Sequence, residues 1–352
     1  MRILIVFGSK GKFFHMNEFA DALMRFNHEC KIVRDIDYSI GFPSKNVVNW
    51  LPNRKVKKLV DGFKPDIVFV DRPSRFGLEI IKEHIPLFIL LRGHYWQEVE
   101  IAKKTIHSSL KDRFTLMIRN RIAEKIYENA TAIFPICSYL INIIKEHHPK
   151  QNIHVFFEGI DKDRWFSVNS KNLIHPCVGL VQDANWWGKT KEMLVLKDIL
   201  KQRPKINFYW AGDGPFRQEI LNELKEFDNF HWLGRLSYPE KVREFLSEID
   251  MYALISGMDL APLTLKEAQL MEKPVLATNV GGIPEMMINN KTGFLIREGD
   301  SKQWIEKIDF LINNKEKGIE MGKEGREFVS QAFDWDIIAE KFLENIKQYI
   351  KN

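Results

Sequence analysis

One stretch of the chain, residues 250–285, constrains the fold more than any other. It contains two short apolar runs, 251–255 and 274–277, in which no polar residue alternates with the apolar ones. Uninterrupted runs of this length are typical of parallel strands that are buried on both faces of a sheet. Between them, a loop leads into a predicted helix that opens at Pro262, because the fixed φ of proline suits the first helical position. The stretch therefore predicts a strand–loop–helix–strand unit of an α/β fold.

The start of this helix is a candidate site for an anion. A helix N-terminus presents unpaired backbone N–H groups and the positive end of the helix dipole, which together suit a phosphate group. The first such amides here belong to Leu263 and Thr264. Two carboxylates flank the same point, because Asp259 precedes the helix and Glu267 lies in its second turn, eight residues later. The alternative interpretation is an exposed acidic loop followed by a solvated glutamate.

Similar apolar runs recur through the rest of the chain and alternate with helical patterns. They lie at 3–7, 31–33, 67–70, 87–91, 132–136, 154–157, 177–182 and 206–211. Such alternation predicts doubly wound parallel sheets, whose ligands bind beyond the carboxyl ends of the strands. The length of 352 residues exceeds the size at which one hydrophobic core usually stops growing. We therefore expect two domains.

Two loops of the amino-terminal half carry candidate binding residues. Gly8 and Gly11 follow the first run, where glycine lets a backbone approach a ligand closely, and Lys10 lies between them. The loop fits neither the phosphate-binding P-loop pattern nor Gly-x-Gly-x-x-Gly. His94 follows the fourth run, where a positioned donor can hydrogen-bond a ligand or stabilise developing charge. The alternative for His94 is a structural histidine whose hydrogen bonds are satisfied by residues of its own domain.

The carboxyl-terminal half adds four candidates. Lys189 follows the run 177–182, Gly212 and Gly214 form a turn after the run 206–211, and Arg235 follows residues 231–234. The lysine suits a phosphate, the glycines suit close backbone approach, and the arginine could stack on a base or be merely exposed.

Composition excludes several classes of protein. The formal net charge of +5 is modest for this length and does not favour a nucleic-acid binder, although it suits anionic ligands or an anionic lipid surface. The cysteines are far apart and show no metal-ligand or redox spacing, so we expect buried thiols in a reducing compartment. They are Cys30, Cys137 and Cys177. Acid pairs at Asp35/Asp37 and Asp334/Asp336 have metal-like spacing, but we assign no metal to either.

The sequence also bears on location. Its first residues read as a strand and lack the pattern of a signal peptide, and no run reaches the roughly 18 apolar residues that span a bilayer. We expect a cytoplasmic protein, either soluble or peripheral on the inner face of the membrane. Residues 42–58 mix cations with a tryptophan, which suits an anionic membrane surface or an acceptor as well as it suits a solvated loop. A long helical pattern at 99–127 predicts a core-facing apolar stripe.

Residues 259–285 resemble the signature of the family 4 retaining glycosyltransferases, which have the GT-B fold. The spacing of Asp259 and Glu267 is that of the family's Glu-x7-Glu, and Pro-Val-x-Ala-Thr-x-x-Gly-Gly-x-x-Glu follows at 274–285. The turn at 212–215 resembles the family's Gly-x-Gly-Pro, and residues 231–236 resemble the segment that edges the nucleobase.

The resemblance implies two Rossmann-like doubly wound parallel-sheet domains that face a cleft, with a C-terminal helix that crosses back to the first domain. On this basis residues 1–170 form the acceptor-side domain and residues 171–334 form the nucleotide-sugar domain. Residues 335–352 would be the helix that packs back on the amino-terminal domain.

It also implies roles for the candidate residues. Asp259 would touch the donor sugar, Glu267 would hold the ribose hydroxyls, and Lys189 would neutralise the diphosphate together with the amides of Leu263 and Thr264. His94 would face the reacting centre, so that His94, Asp259 and Lys189 are the expected catalytic residues. The remaining expected donor-binding residues are Gly8, Gly11, Gly212, Gly214 and Arg235.

Two positions depart from the family pattern. Asp183 lies close to the place of an arginine that would grip the diphosphate, and Glu158 replaces an asparagine. A carboxylate beside a diphosphate is repulsive. We therefore expect Asp183 to point away, or Lys191, Lys10 or Arg92 to compensate its charge.

The implied reaction is retaining transfer of a sugar from a nucleotide-diphosphate donor, UDP- or GDP-linked, to an acceptor hydroxyl of a glycan or lipid-linked acceptor. No metal or other cofactor is expected. Two alternatives stay open: a non-catalytic nucleotide-sugar-binding partner subunit, and a sugar-nucleotide epimerase of the same fold. A nicotinamide dehydrogenase is disfavoured, because no Gly-x-Gly-x-x-Gly opens a helix with an acid about 20 residues later.

Overall fold

The chain forms two compact units, each built on one parallel sheet. A computed structural model describes residues 1–8, 13–39, 54–105 and 109–350, with the side chains of residues 104 and 105 left aside. The first unit comprises Met1–Gly159 and Trp335–Asn352, and the second comprises Ile160–Asp334. Both sheets carry helices between successive parallel strands. The prediction of an α/β fold with two Rossmann-like parallel-sheet domains is therefore confirmed.

The first unit has a five-stranded sheet in the order β2-β1-β3-β4-β5. Its strands are β1 (Arg2–Phe7), β2 (Glu29–Arg34), β3 (Ile67–Val70), β4 (Leu87–Leu91) and β5 (Ala132–Pro135). All neighbours pair in parallel, and β3, β4 and β5 are buried along their whole length, as their unbroken apolar sequences require.

The predicted strand at 154–157 is wrong. His154 and Phe156 donate backbone hydrogen bonds to the carbonyls of Ile133 and Pro135, at 3.1 and 2.8 Å. Next to these bonds, Ile153 forms an isolated bridge with Ile133 of β5. Residues 154–157 thus lie beside β5 without forming a further strand of the sheet.

Helices connect these strands. They are α1 (Phe13–Arg25), α2 (Asp35–Tyr38), α3 (Lys55–Phe63), α4 (Arg75–Lys82), α5 (Tyr95–Thr105), α6 (Leu110–Asn129) and α7 (Tyr139–His147). The long helix predicted at 99–127 is thus two helices, and Ser109 caps the second by accepting the amide of Asp112 at 3.2 Å. The predicted core-facing stripe fails at the start of α6, where Leu110 is 86% exposed and Met117 is also exposed. The stripe holds only in the second half of α6, where Ile126 is buried.

A helix from the end of the described chain completes the core of the first unit. α15 (Trp335–Ile346) packs beside α1, and Trp335 donates its indole N–H to Glu18 at 2.9 Å. The ring of Phe342 lies 5.2 Å from that of Phe19 and 5.1 Å from that of Phe69, measured between centroids. A Cβ on Gly159 would come within 2.3 Å of the Trp335 ring, so glycine is required beneath this helix.

The second unit has a six-stranded parallel sheet in the order β11-β10-β9-β6-β7-β8. Its strands are β6 (Cys177–Val181), β7 (Asn207–Ala211), β8 (Phe230–Gly234), β9 (Met251–Leu254), β10 (Val275–Thr278) and β11 (Gly293–Ile296). The helices are α8 (Trp187–Thr190), α9 (Leu196–Gln202), α10 (Arg217–Leu224), α11 (Glu240–Glu248), α12 (Leu263–Leu270), α13 (Ser301–Asn313) and α14 (Lys315–Ala332). The core of the unit includes the fully buried Trp210 and Trp304.

Two predicted boundaries in this unit shift. The units divide between Gly159 and Ile160, whereas the sequence placed the boundary after residue 170. The reason is that the intervening segment is tied to α11: Ser170 donates to Glu248 at 2.7 Å, and Val168 donates its amide to Ser247 at 3.1 Å. Pro262 precedes α12 as its N-cap residue and does not occupy the first helical position.

Within the part of the chain that the structure describes, no helix is both long enough and apolar enough to cross a membrane.

Candidate functional site

The candidate site of the second unit lies at the carboxyl edge of its sheet, and its centre is the loop between β9 and α12. Ser256 is fully buried at the start of this loop. Its amide donates to the hydroxyl of Thr278 at 3.1 Å, and its own hydroxyl donates to the carbonyl of Met258 at 2.8 Å. Because Thr278 ends β10, the loop is fixed to the neighbouring strand before it reaches Asp259.

The Gly281–Gly282 turn after β10 holds the backbone of Asp259. Gly282 donates its amide to the carbonyl oxygen of Asp259 at 2.9 Å. Gly281 has φ +55°, and a Cβ added there would lie 2.1 Å from the same oxygen. Both the left-handed conformation and the close approach require glycine. The glycine pair of the motif therefore serves to position Asp259.

Asp259 and Lys189 form an ion pair. The Lys189 ammonium, carried by α8, contacts Oδ2 of Asp259, while Oδ1 accepts the amide of Leu260 at 3.0 Å. The two loops also join through the backbone, because Gly257 donates to the carbonyl of Lys189 at 3.0 Å. The side chains of Lys189 and Asp259 keep 27% and 15% of their surface exposed, so a ligand can reach both. The structure thus brings two predicted catalytic residues together.

Glu267 is a buried carboxyl group that is only half satisfied. Its residue is 1% exposed, and Oε1 accepts a hydrogen bond from the Tyr238 hydroxyl at 3.1 Å. Oε2 has no hydrogen-bond partner among the described residues. Burial raises the pKa of Glu267 to about 7, against smaller opposing effects of the Tyr238 hydrogen bond and the charge of Lys266. An unsatisfied buried carboxylate oxygen is suited to accept hydroxyl groups from a ligand.

The amino end of α12 lies between these two acids in sequence. Pro262 has an extended ψ of 115°, and its side chain makes no cap hydrogen bond to the helix. The first amides of α12, at Leu263 and Thr264, therefore start the helix without side-chain capping. The hydroxyl of Thr264 accepts a hydrogen bond from the Tyr252 hydroxyl at 2.8 Å, and the amide of Thr264 belongs to the first turn, whose N–H groups suit an anion.

Gly212 and Gly214 are needed for packing against the loop after β6. A Cβ on Gly212 would lie 2.0 Å from the carbonyl oxygen of Gln182. At Gly214, with φ +148°, a Cβ would lie 2.5 Å from the carbonyl oxygen of Ala184. Both glycines thus have a structural reason that does not involve a ligand, and any role in donor binding is additional.

Arg235 is the partner of Asp183. Its Nη2 donates to Oδ2 of Asp183 at 3.2 Å, and Oδ1 of Asp183 accepts the amide of Asp213 at 3.2 Å. The negative charge near the place of the missing arginine is therefore paired by Arg235, which was not among the cations expected to compensate it. Of those cations, Lys10 lies outside the described residues. The sequence concealed this pair, because 52 residues separate the partners and β7 lies between their strands in the sheet.

The first unit holds the remaining candidates at the carboxyl edge of its own sheet. His94 follows β4, and its Nδ1 accepts the amide of Gln97 at 3.3 Å. The neutral imidazole therefore carries its proton on Nε2, which is left as a donor. Gly8 follows β1 beneath Arg72, whose Nε would lie 2.0 Å from an added Cβ. Gly11 lies outside the described residues, as do residues 42–53 of the basic stretch.

Sequence reasoning missed several polar contacts at these edges. In the first unit, Arg92 pairs with the buried Glu158, and Asp71 follows β3, where burial raises the pKa of its carboxyl group. In the second unit, Tyr238 donates to Glu267. Asp71 could have been found, because it directly follows a predicted strand. The Tyr238 contact could not, since 29 residues separate the two partners and Tyr238 precedes a helix.

Known proteins resemble this chain in sequence and in fold. Residues 188–328 match the family described as Glycosyl transferases group 1. An uncharacterised glycosyltransferase of Methanocaldococcus jannaschii is 28% identical over 66% of this chain and 64% of its own length. A sulfoquinovosyl transferase of Arabidopsis thaliana is 24% identical over 78% of this chain and 54% of its own length. The chain thus spans less than two thirds of either curated relative.

A solved structure extends the likeness to both units. HepE of Anabaena, in complex with UDP, superimposes with a TM-score of 0.70 and 16% identity over 99% of this chain and 100% of that protein. At this identity the likeness concerns the fold, which is that of the GT-B glycosyltransferases.

Proposed function

We propose, from the match of residues 188–328 to the glycosyl transferases group 1, that this chain transfers a sugar from a nucleotide-diphosphate donor to an acceptor hydroxyl. The observation that carries the proposal is the arrangement around α12. A buried, half-satisfied Glu267 and the Asp259–Lys189 ion pair flank a helix start that has no side-chain cap. A ligand with a diol at one end and a diphosphate next to it matches this order of groups.

Each group has a proposed partner on the donor. Glu267, through Oε2, accepts the ribose hydroxyls. Lys189 and the amides of Leu263 and Thr264 stabilise the charge of the diphosphate. Asp259 accepts hydroxyls of the donor sugar, and its carboxylate is one methylene shorter than the glutamate of the family signature, which affects the sugar that fits. In the first unit, His94 donates through Nε2–H to the sugar.

The proposed step uses no protein nucleophile. The bond between the anomeric carbon and the β-phosphate oxygen breaks, and the acceptor oxygen bonds to that carbon on the same face of the sugar. Because the acceptor attacks the face from which the phosphate departs, the configuration at the anomeric carbon is retained. The acceptor proton passes to the departing phosphate oxygen. Positioning and charge stabilisation by the groups named above lower the barrier. The proposal includes no metal or other cofactor, because Lys189 and the amides supply the positive charge.

The donor is proposed to be UDP- or GDP-linked. HepE, which shares the fold, binds UDP, and this favours a uridine donor here. The acceptor is proposed to be a glycan or a lipid-linked saccharide at the inner face of the membrane, with residues 42–58 as the contact with anionic lipid. That part of the proposal rests on the sequence alone.

The decisive experiment measures donor binding and turnover with a matched pair of variants. Wild type, Glu267→Gln and Glu306→Gln are titrated with UDP, GDP and ADP by calorimetry and then assayed for release of nucleotide from sugar conjugates. Glu306 is an exposed control on α13, with 67% of its side chain exposed. We expect one nucleotide to bind wild type and the control equally, and Glu267→Gln to bind it at least 10-fold more weakly. Equal binding by all three proteins would refute the site.

A second candidate function is a non-catalytic nucleotide-sugar-binding subunit. The Asp183–Arg235 pair favours it, because an aspartate lies near the place of a diphosphate-binding arginine and engages the nearby cation. The same experiment separates the two functions. Nucleotide binding that depends on Glu267, without turnover of any donor in the presence of acceptor extracts, would favour the subunit. An epimerase would convert the donor without acceptor and form no glycosidic bond.

A further inference from the structure

A cluster of metal-ligating side chains lies at the amino edge of the sheet in the second unit. Cys177 begins β6, His175 precedes it by two residues, and Asp250 directly precedes β9, the neighbouring strand. The donor-site residues Asp259 and Glu267 follow β9, so the cluster lies at the opposite end of the same strands. Nothing in the proposed transfer reaction uses these three residues.

The donor atoms of the cluster converge. Oδ2 of Asp250 lies 2.9 Å from Nδ1 of His175, and Sγ of Cys177 lies 3.6 Å from the same nitrogen. All three donor atoms lie within 4.8 Å of one another. In a tetrahedral zinc site, the usual bond lengths place sulfur and nitrogen about 3.6 Å apart and nitrogen and oxygen about 3.4 Å apart. The sulfur–nitrogen distance already fits, and the nitrogen–oxygen pair needs to open by about half an ångström once a metal replaces their shared proton.

The surroundings distinguish this cluster from a chance contact on the surface. Cys177 is fully buried, which holds its thiol in place, whereas the side chains of His175 and Asp250 are 44% and 42% exposed and leave a path for an ion. Asp250 is further fixed by the amide of Cys177, which donates to Oδ2 at 2.7 Å. Lys273 lies close enough to interact electrostatically with Asp250 and Cys177. Its ammonium group donates a hydrogen bond to the carbonyl of Ser247 at 2.8 Å.

We propose that His175, Cys177 and Asp250 bind a zinc ion through Nδ1, Sγ and Oδ2, with a fourth position open to water. A soft thiolate, an imidazole and a carboxylate are a ligand set that zinc accepts and that magnesium and calcium do not favour. On binding, the thiol releases its proton to solvent and the imidazole carries its proton on Nε2. The zinc ion then links the amino ends of β6 and β9.

The alternative role for the cysteine, a reactive surface thiol, fits less well. Cys177 is fully buried, which keeps reagents away from its sulfur, and burial also raises the pKa of its thiol. The alternative role for the aspartate, a cap for the start of β6, is compatible with zinc binding, because Oδ2 retains a second lone pair.

The test uses the full chain with any affinity tag removed, and cobalt(II) as the spectroscopic probe. We expect one equivalent of cobalt to produce a thiolate-to-metal charge-transfer band and the strong visible bands of a four-coordinate ion. Zinc should displace cobalt and remove both features. His175→Ala and Cys177→Ser should each weaken zinc binding by about 100-fold or more, since each removes one of three protein ligands. Cys30→Ser, which changes a cysteine outside the cluster, should leave the affinity unchanged.

The outcomes are separable from those of the donor site. Weak, six-coordinate cobalt spectra in wild type would overturn the proposal, and so would a charge-transfer band that persists in Cys177→Ser. If Cys177→Ser does not fold, His175→Ala decides alone, because its side chain is nearly half exposed. Glu267→Gln should bind zinc as wild type does, so failure of the nucleotide assignment and failure of the zinc assignment are independent results.

Discussion

At the scale of single residues, Glu267 makes the stability of the protein depend on pH. Its pKa is raised to about 7 by burial, from an ordinary value of 4.5. Between these values, the native state holds a proton that the unfolded state has lost, so the free energy of unfolding falls as pH rises from about 4.5 to 7. Glu267→Gln stays neutral and escapes this penalty.

We therefore expect Glu267→Gln to be more stable than wild type at pH 8, by about 1–3 kcal/mol, and to lose most of this advantage at pH 5. Thermal unfolding at both pH values, without nucleotide, measures the difference. The exposed control Glu306→Gln should show the same offset from wild type at both pH values. A pH-independent effect of Glu267→Gln would mean that the carboxyl group is not buried as described.

Tyr238 tunes the same carboxyl group. Its hydrogen bond to Oε1 favours the ionised form and opposes the effect of burial on the pKa of Glu267. Nucleotide affinity in wild type should rise with pH through about 7, as Glu267 ionises. In Tyr238→Phe the midpoint should move up by about 0.5–1 pH unit, because the stabilising donor is lost while the ring is kept. Calorimetric titration from pH 5.5 to 8.5 checks this, with Tyr139→Phe in the first unit as the control. An unshifted midpoint would assign Tyr238 a packing role only.

Asp259 and Lys189 should respond in opposite directions to substitution. Asp259→Asn removes a negative charge next to the proposed diphosphate, so UDP affinity should stay equal or increase by up to about fivefold, or about 1 kcal/mol. Turnover should fall by about 100-fold or more, because the sugar loses its charged acceptor. Lys189→Gln should weaken UDP binding. Parallel losses of UDP affinity in both variants would contradict the proposed division of roles.

The sequence could identify the candidate site residues that lie close to the end of a predicted strand. Asp259, Glu267 and Lys189 lie in or just after short loops at strand ends, so the parallel-sheet rule predicted their common edge. The Tyr238–Glu267 and Arg235–Asp183 contacts and the His175–Cys177–Asp250 cluster depend on which strands are neighbours. Cysteine spacing alone could not reveal the cluster, because its other ligands are a histidine and an aspartate.

At the scale of elements, the turn after β10 supports the loop after β9. Gly281 and Gly299 both have positive φ, at +55° and +73°, but they differ in the space around them. An added Cβ at Gly281 would meet the carbonyl of Asp259, whereas none of the described atoms lies within 4 Å of one at Gly299. Substitutions at these two glycines therefore distinguish backbone strain from displacement of the loop that carries Asp259.

Gly299→Ala should lower the free energy of unfolding by about 1 kcal/mol, the usual cost of a left-handed alanine, and leave turnover unchanged. Gly281→Ala should cost more and should also lower turnover by about 10-fold or more, since the Asp259 backbone must move. Denaturation and donor-turnover assays on both variants test this. Equal effects of the two substitutions would show that the turn does not position Asp259.

Elements were predictable where a segment is buried and uninterrupted. Strands with continuous apolar sequence, such as β3 and β4, were predicted within a residue of their observed ends. The errors in predicting elements occurred where contacts with neighbouring residues, and not local composition, determine the secondary structure. Residues 154–157 have a strand-like composition but make only two of the described backbone hydrogen bonds to the adjacent strand. The start of α6 depends on a local cap at Ser109.

At the scale of the whole molecule, the aromatic core of the first unit draws on both ends of the described chain. Phe342 of α15 is 1% exposed among the rings of Phe19, Phe69 and Phe134. Phe342→Ala should destabilise the first unit by about 3–5 kcal/mol. Hydrogen exchange should then accelerate in β1, β3 and β4 and stay unchanged in β6, β7 and β9. Phe310→Ala, which truncates a partly exposed ring of the second unit, should leave exchange in β1 and β3 unchanged.

This return of α15 has a consequence for biosynthesis. A ribosome delivers residues 1–159 first, then the whole of the second unit, and only afterwards the helix that fills the first core. At 5–20 residues per second, the early strands wait roughly 10–35 s for their last partner. The second unit, which is continuous in sequence, needs no such delay. During this interval, Phe19 and Phe69 have no Phe342 to cover them, so the nascent chain is most exposed to chaperones and to aggregation while its second half is already able to fold.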